Sequence, residues 1–256
     1  MDEQNFLSET PEPMPVFEPQ PQPSPNKKLD PNKLILSGAI LLAALIVAGS
    51  LLYANLRQNG AVDTKPKDTV ATLKQWAKDL KLDKTKFNTC LDEKRYQSKI
   101  DNDVADGTKL GVNGTPSFFV NNQSIVGALS YADFKKVIDT ELAKKKPDAT
   151  NIARDNSADG AFIGNPGATV VMLEFSDYQC PFCRAFWRDA FAQIKRDYID
   201  TGKLKFVHRD FPLAFHPAAI PAAEAVECAR EQGKFWEMQD KIFSEQDKQG
   251  QDTIQF

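Results

Sequence analysis

Two thiols two residues apart, Cys180 and Cys183, are the side chains whose types and spacing can do chemistry on their own. An apolar β-type run, Val170 to Leu173, leads into Glu174-Phe175-Ser176-Asp177-Tyr178-Gln179-Cys180-Pro181-Phe182-Cys183, and Phe186, Ala190, Ile194 and Tyr198 come next at fourfold spacing. The pattern predicts a strand that delivers Cys180 to the first turn of a helix. Unpaired N–H groups and the positive end of the helix dipole favour an anion there. The thiolate is the nucleophile of disulfide exchange, and such a setting lowers its pKa. Cys183, one helical turn on and less exposed, is placed to close a small disulfide ring or to resolve a mixed disulfide. The same spacing also serves as half of a zinc site, but the strand–C-x-x-C–helix context favours redox chemistry.

The bulk of the chain narrows the field. At 256 residues it holds one or two domains, and a net charge of −3 with a pI near 5.6 offers no basic field for nucleic acid. The two histidines, His208 and His216, leave little room for a His-based metal site or triad, and no cofactor or metal is expected. Four cysteines, Cys90, Cys180, Cys183 and Cys228, are too few for a disulfide scaffold, and their even number suits an oxidised protein.

Residues 1–33 are rich in proline, with Glu, Gln and Ser between, and cannot bury enough apolar surface to offset the entropy of ordering; a spacer is expected. Leu34–Ala54 carries no charged residue and is about long enough to cross a hydrocarbon core, so a single-pass anchor is expected. The alternative is a cleaved signal peptide, disfavoured by the long preceding tail and the poor cleavage context at Leu51-Leu52-Tyr53-Ala54. Lysines and arginines flank both ends almost equally, so orientation follows from the cysteines: a stable disulfide needs an oxidising compartment, which places the C-terminal part outside the cytoplasm.

Residues 55–68 read as a linker. Helices are expected around Leu73, Trp76, Ala77 and Leu80, then Phe87, Cys90 and Leu91, then Ile100, Val104 and Leu110. Asn113-Gly114-Thr115-Pro116 precedes an aromatic strand that turns at Asn121-Asn122 into a second strand. Pro116 is either an edge-strand proline or a cis proline. A helix over Tyr131 to Lys145 comes next, then a polar connector. Beyond the C-x-x-C helix lie a strand over Leu204 to Phe211, a helix over Pro217 to Arg230 and a last amphipathic helix through Phe235, Met238 and Ile242.

Five segments together resemble the DsbA-like branch of the thioredoxin superfamily: Leu-Glu-Phe-Ser-Asp-Tyr-Gln-Cys-Pro-Phe-Cys (173–183), Asp-Phe-Pro-Leu-Ala-Phe-His-Pro (210–217), Glu-Cys-Ala-Arg-Glu-Gln-Gly-Lys-Phe-Trp-Glu-Met (227–238), Phe-Asn-Thr-Cys-Leu-Asp (87–92) and Gly-Val-Asn-Gly-Thr-Pro-Ser-Phe-Phe-Val-Asn (111–121). The resemblance spans residues 69–256 and implies an α/β thioredoxin fold with an inserted α-helical subdomain. It also implies that Pro116 is the family's cis proline beside the active disulfide. The segments stand in the wrong order: the family's C-terminal half, 69–145, precedes its C-x-x-C half, 169–256, with 146–168 between them. A circular permutation is therefore expected, the halves pairing within one chain; the rival is a reciprocally swapped dimer.

The resemblance further implies the site. Cys180 is the nucleophile, Cys183 resolves, and Glu174, at the family's acidic position, exchanges protons with Cys183. Thr115, Pro116, Pro181 and Phe182 line the groove for clients, and Cys90 and Cys228 form a second, structural disulfide. The expected function is a membrane-tethered, extracytoplasmic thiol–disulfide oxidoreductase of a bacterial cell membrane that forms disulfides in client proteins. A membrane redox partner would recycle it. The alternatives are a reductase or isomerase of the same fold, or a tethered client-binding chaperone. Phe182 cannot hydrogen-bond the thiolate, which makes the couple less oxidising; His216 is read as a helix-start residue without a catalytic role.

Overall fold

Two aspartates begin the chain's first two helices. Asp68 accepts from the backbone of Val70 (3.0 Å) and Ala71 (3.3 Å) to start α1 (Thr69–Asp79), and Asp83 accepts from Lys86 (2.9 Å) to start α2 (Lys84–Asp92). With α3 (Gln97–Lys109) these helices bury Leu73, Trp76, Phe87, Cys90 and Ile100, the faces their periodicity predicts. The computed structural model describes residues 68–144, 151–156, 158 and 160–248, which fall in one unit, Lys65–Phe256. The expected tail, the apolar run Leu34–Ala54 and the linker up to residue 67 lie outside the described residues. Among the described residues no helix is long and apolar enough to cross a membrane.

The hairpin comes next, β1 (Ser117–Val120) and β2 (Gln123–Val126), turning at Asn121, whose φ of 52° suits an asparagine. Helix α4 (Tyr131–Leu142) covers it. After a four-residue helix, α5 (Ile152–Asp155), come β3 (Ala161–Gly164) and β4 (Val170–Ser176). The helix after Cys180 begins as α6 (Pro181–Phe186) and runs on through a π-helical stretch (Trp187–Phe191), a short α-helical piece (Ala192–Ile194) and a second π-helical stretch (Lys195–Ile199). Strand β5 (Leu204–Asp210) and helices α7 (Ala219–Arg230) and α8 (Phe235–Lys248) complete the described chain.

The sheet order is β2-β1-β4-β5-β3, with β4 and β5 parallel and the other pairs antiparallel. Strand β4 is buried along its whole length, as expected of a strand covered on both faces. Its residues alternate between two cores. Val170 and Met172 join Phe118, Phe134, Phe186 and Phe206, where the Phe118 ring lies 4.5 Å from Phe186 and 4.9 Å from Phe134. Val171, Leu173 and Phe175 join Phe119, Val207 and Phe211 on the other face. A third core unites α1 and α2 with α7 and α8, and Tyr178, Cys180 and Cys183 pack into it. The turn that carries Cys180 thus sits where sheet and helical cap meet.

Two expectations need correction. The stretch 146–168, predicted as a polar connector, contains α5 and the edge strand β3. Among the described residues that strand pairs with β5 alone, and it buries Ala161 while exposing Phe162, so it lacks the apolar signature of an inner strand. The helix after Cys180 buries Phe186, Ala190, Ile194 and Tyr198 as their spacing predicts, but it widens twice into π geometry, which a four-residue period does not reveal.

Candidate active site

Strand β4 ends at Ser176, and Asp177 shapes the turn beyond it. The Asp177 carboxylate accepts from the backbone of Gln179 (2.7 Å) and of Leu213 (2.8 Å), and it pairs with His216 Nδ1 (2.7 Å). The Gln179 side chain in turn accepts from Ala218 N at 2.7 Å. These bonds tie the turn to the loop before α7 and set Cys180 as the N-cap of α6, with Pro181 at the first helical position. His216, read from the sequence as a helix-start residue, is part of this clamp.

Cys180 is 3% exposed and Cys183 fully buried, and both thiols are free. The Cys180 thiol donates to the Thr115 carbonyl at 3.4 Å, and the peptide bond between Thr115 and Pro116 is cis. The structure therefore brings the loop before β1 onto the sulfur, 65 residues apart in sequence. Pro116 is buried, whereas Phe182, two residues after Cys180, is 63% exposed and Phe215, on the clamped loop, is 73% exposed. The backbone N–H of Asp177 points to Cys183 Sγ at 3.4 Å.

The two thiols differ in acidity. A hydrogen bond from Cys183 lowers the Cys180 pKa to about 6 against the opposing effect of burial, helped by the Thr115 side chain and the backbone N–H groups of Cys183 and Phe182. The Thr115 hydroxyl is buried and makes no other hydrogen bond among the described residues, which leaves it available to a thiolate. Burial, the neighbouring Cys180 and the charge of Glu174 push the Cys183 thiol well above its ordinary value. One sulfur is poised to attack, and the other holds its proton.

This asymmetry predicts a pH dependence. In the reduced protein Cys180 ionises near pH 6 when folded and near 9 when unfolded, so the reduced fold gains stability as pH rises through that window. The gain is lost as pH falls back through about 6, and above about 9 Cys183, reluctant to ionise, reverses its sign. Denaturation of the reduced and oxidised forms between these limits, with ultraviolet thiolate absorbance alongside, checks it. A reduced-minus-oxidised difference flat with pH would remove the case for an acidic Cys180.

Glu174 is buried on β4 and stands between Phe118 on β1 and His208 on β5. Its Oε2 lies 3.4 Å from His208 Nδ1. His208 Nε2 meets the Tyr178 hydroxyl at 3.0 Å and lies 3.5 Å from Asp210 Oδ1. Burial lowers the His208 pKa, but Asp210 and Glu174 outweigh it and raise the value to about 9. His208, Tyr178 and Asp210 were not picked out as site residues from the sequence. The available signal was the period of two that places His208 on the same face as Leu204 and Phe206.

Cys90 and Cys228 form a disulfide between α2 and α7, with Cα atoms 5.8 Å apart. Among the described residues no group of three or more His, Cys, Asp or Glu side chains is arranged to hold a metal ion, so the zinc reading finds no further ligands there.

A family model described as thioredoxin matches residues 39–140 and 156–256. Disulfide bond formation protein D of Bacillus subtilis is 31% identical over 93 residues, covering 36% of this chain and 42% of that protein. The Na(+)/H(+) antiporter NhaA 1 of Mycolicibacterium gilvum is 40% identical over 85 residues, which is 33% of this chain and 13% of the antiporter. Among solved structures, BdbD from Bacillus subtilis in its oxidised form is 31% identical with a TM-score of 0.30, covering 33% of this chain and 46% of that one. Alpha-DsbA1 of Wolbachia pipientis is 31% identical with a TM-score of 0.31, covering 34% and 42%. In each of these matches the chain spans less than half the length of its counterpart.

Proposed function

This chain belongs to the thioredoxin family, and from that premise we propose that it is a DsbA-like thiol–disulfide oxidoreductase whose redox couple is Cys180 and Cys183. The observation that carries the reading is the 3.4 Å contact between Cys180 Sγ and the Thr115 carbonyl, which joins an acidic thiol to the loop of Pro116. Cys180 attacks a client disulfide, or in the oxidised enzyme is attacked by a client thiolate. Cys183 resolves the mixed disulfide, and Glu174 exchanges the proton of Cys183. Thr115 and Pro116 offer backbone groups to an extended client segment, while Pro181 and the exposed Phe182 give it apolar surface.

In the finer reading the domain is a circular permutation, with 69–145 and 169–256 as exchanged halves. Two observations support it. The family model matches two separate blocks that together span most of the chain, whereas the Bacillus subtilis and Mycolicibacterium gilvum relatives each align with about a third of it. A sequential alignment can trace only one half of a permuted domain at a time. Pairing within one chain is supported at the hairpin turn. There Asn151 donates to the Asn121 side chain (2.8 Å), and the backbones of Ile152 and Ala153 donate to Asn122 Oδ1 (2.8 Å) and Asn121 O (3.1 Å). The charge-free run Leu34–Ala54 supports a single-pass tether with the catalytic domain outside the cytoplasm and a membrane partner that recycles the couple.

We assign the direction as disulfide formation, and the alternatives remain a reductase or isomerase and a client-binding chaperone. The thiolate is held by neighbouring hydroxyl, thiol and backbone donors, and Phe182 cannot hydrogen-bond it, so the couple should lie between thioredoxin at about −270 mV and DsbA at about −120 mV. Equilibration of the full-length protein with glutathione buffers gives the potential. Parallel assays with a reduced unfolded client and a disulfide-bearing client give the direction. A potential at or below that of thioredoxin, with reduction as the only activity, would overturn the oxidase assignment.

A further inference from the structure

Between the charge-free run Leu34–Ala54 and the N-cap of α1 at Asp68 lie only residues 55–67. A linker of that length, fully extended, reaches about 45 Å, so a tether held in a bilayer keeps the start of α1 within that distance of lipid. This nearness rests on the proposed tether and is independent of the redox couple.

The surface that α1 and α2 present is unevenly charged. Over residues 69–92 the chain carries Lys74, Lys78, Lys81, Lys84 and Lys86 against Asp79, Asp83 and Asp92. Each carboxylate is engaged. Asp79 lies 3.2 Å from Lys241 Nζ on α8 and accepts from Gln75 Nε2 at 2.9 Å. Asp83 accepts from the backbone of Lys86 at 2.9 Å, and Asp92 holds Lys74 at 2.6 Å. Lys78, Lys81, Lys84 and Lys86 are exposed, and among the described residues their amines make no ion pair or hydrogen bond. Lys78 and Lys84 line a cleft of about 440 Å³, together with Lys74, the side-chain amides of Gln75 and Asn88, and two alanines. No carboxylate lines it among the described residues. Ammonium and amide groups donate to phosphate oxygens, and the alanines leave apolar room for the glycerol that adjoins a lipid phosphate.

We propose that the α1–α2 face docks on the anionic surface of the membrane that the tether crosses, its cleft seating the phosphate of an anionic phospholipid headgroup. Lys78 and Lys84 meet that phosphate, while Lys81 and Lys86 add to the positive field around it. Such attraction fades within a Debye length, about 8 Å at physiological salt, so it acts only on a face held close to lipid. The short linker holds it there and keeps its effective concentration at the surface high, so weak individual contacts suffice. Docking then gives the domain one orientation on the membrane in which its proposed redox partner lies.

The test places the full-length protein in nanodiscs of phosphatidylcholine alone or with phosphatidylglycerol, and reads acetylation of each lysine by mass spectrometry. Lys78, Lys81 and Lys84 should react about threefold or more slowly in the anionic discs, and about 1 M salt should erase the difference. Lys136, exposed on α4, should react equally in both. Lys78→Gln/Lys84→Gln changes two exposed positions at little cost in stability and should abolish the slowing at Lys81, whereas Lys136→Gln should leave it intact. Equal rates in the two discs overturn the lipid site, as does slowing at Lys81 that survives Lys78→Gln/Lys84→Gln. Slowing caused by soluble polyglutamate in neutral discs, with none from anionic lipid, assigns the face to an acidic protein segment and overturns the lipid site too. Slowing by inorganic phosphate alone, without a further effect of anionic lipid, does the same. The tether is read separately. A protein that leaves neutral discs in about 1 M salt removes the tether and this docking together, whereas one that stays in them and shows equal rates loses the docking alone.

Discussion

Cys180→Ser is expected to abolish disulfide exchange in both directions, while Cys183→Ser is expected to trap a mixed disulfide between Cys180 and its client. The difference comes from the positions of the two sulfurs. With its pKa near 6, Cys180 is mostly thiolate at neutral pH, and a serine hydroxyl in its place has no comparable nucleophilic form. The loss should be at least about a thousandfold, the scale on which removing an activated nucleophile is felt. Cys183 is fully buried, its thiol held well above the ordinary range, so it makes no first attack. Its removal leaves Cys180 able to react once and unable to let go. Turnover with each variant, and mass spectrometry of the Cys183→Ser adduct, check both arms. Activity that survives Cys180→Ser would end the redox assignment, and client binding that persists without either thiol would favour the chaperone alternative.

Parts of this site were legible in the sequence because they are local. The strand-to-helix change of period around Cys180, the turn at Asn121-Asn122 and the apolar faces of α1 and α2 all lie within windows of a dozen residues, where side-chain spacing reports backbone geometry directly. Strand β3 escaped because an edge strand of four residues needs only one buried position to hold its place, and Ala161 gives little signal. The buried group of Glu174, His208 and Asp210 escaped for another reason. These residues come from β4 and β5, and the pairing of Glu174 with His208 is set by the register of parallel strands. Taken one at a time, each reads as a solvated charge or an isolated histidine. The meeting of Thr115 with Cys180 was foreseen only through the family resemblance, since nothing local to either loop requires it.

Removing the Cys90–Cys228 bond by the double substitution Cys90→Ala/Cys228→Ala should cost about 2–5 kcal/mol of stability. The two residues are 138 positions apart, so the bond restrains most of the unfolded domain, and both sulfurs sit fully buried among the helices of the cap. The loss should appear as a lower denaturant midpoint together with a steeper transition, because the unfolded chain without the crosslink exposes more surface. Because the bond joins α2, which precedes the hairpin, to α7, which lies beyond β5, it also separates the two modes of assembly. Halves stapled within one chain unfold at a midpoint independent of protein concentration. Halves exchanged between two chains would be held together covalently in the wild type, but in the variant their midpoint rises with concentration, since association then contributes to folding. Single-chain pairing predicts concentration independence in the wild type and in the variant alike. A midpoint that does not move on substitution, or free thiols at Cys90 and Cys228 in the native oxidised protein, would strip the bond of this role. Concentration dependence in the variant, where no bond would link the chains, would instead point to exchanged halves.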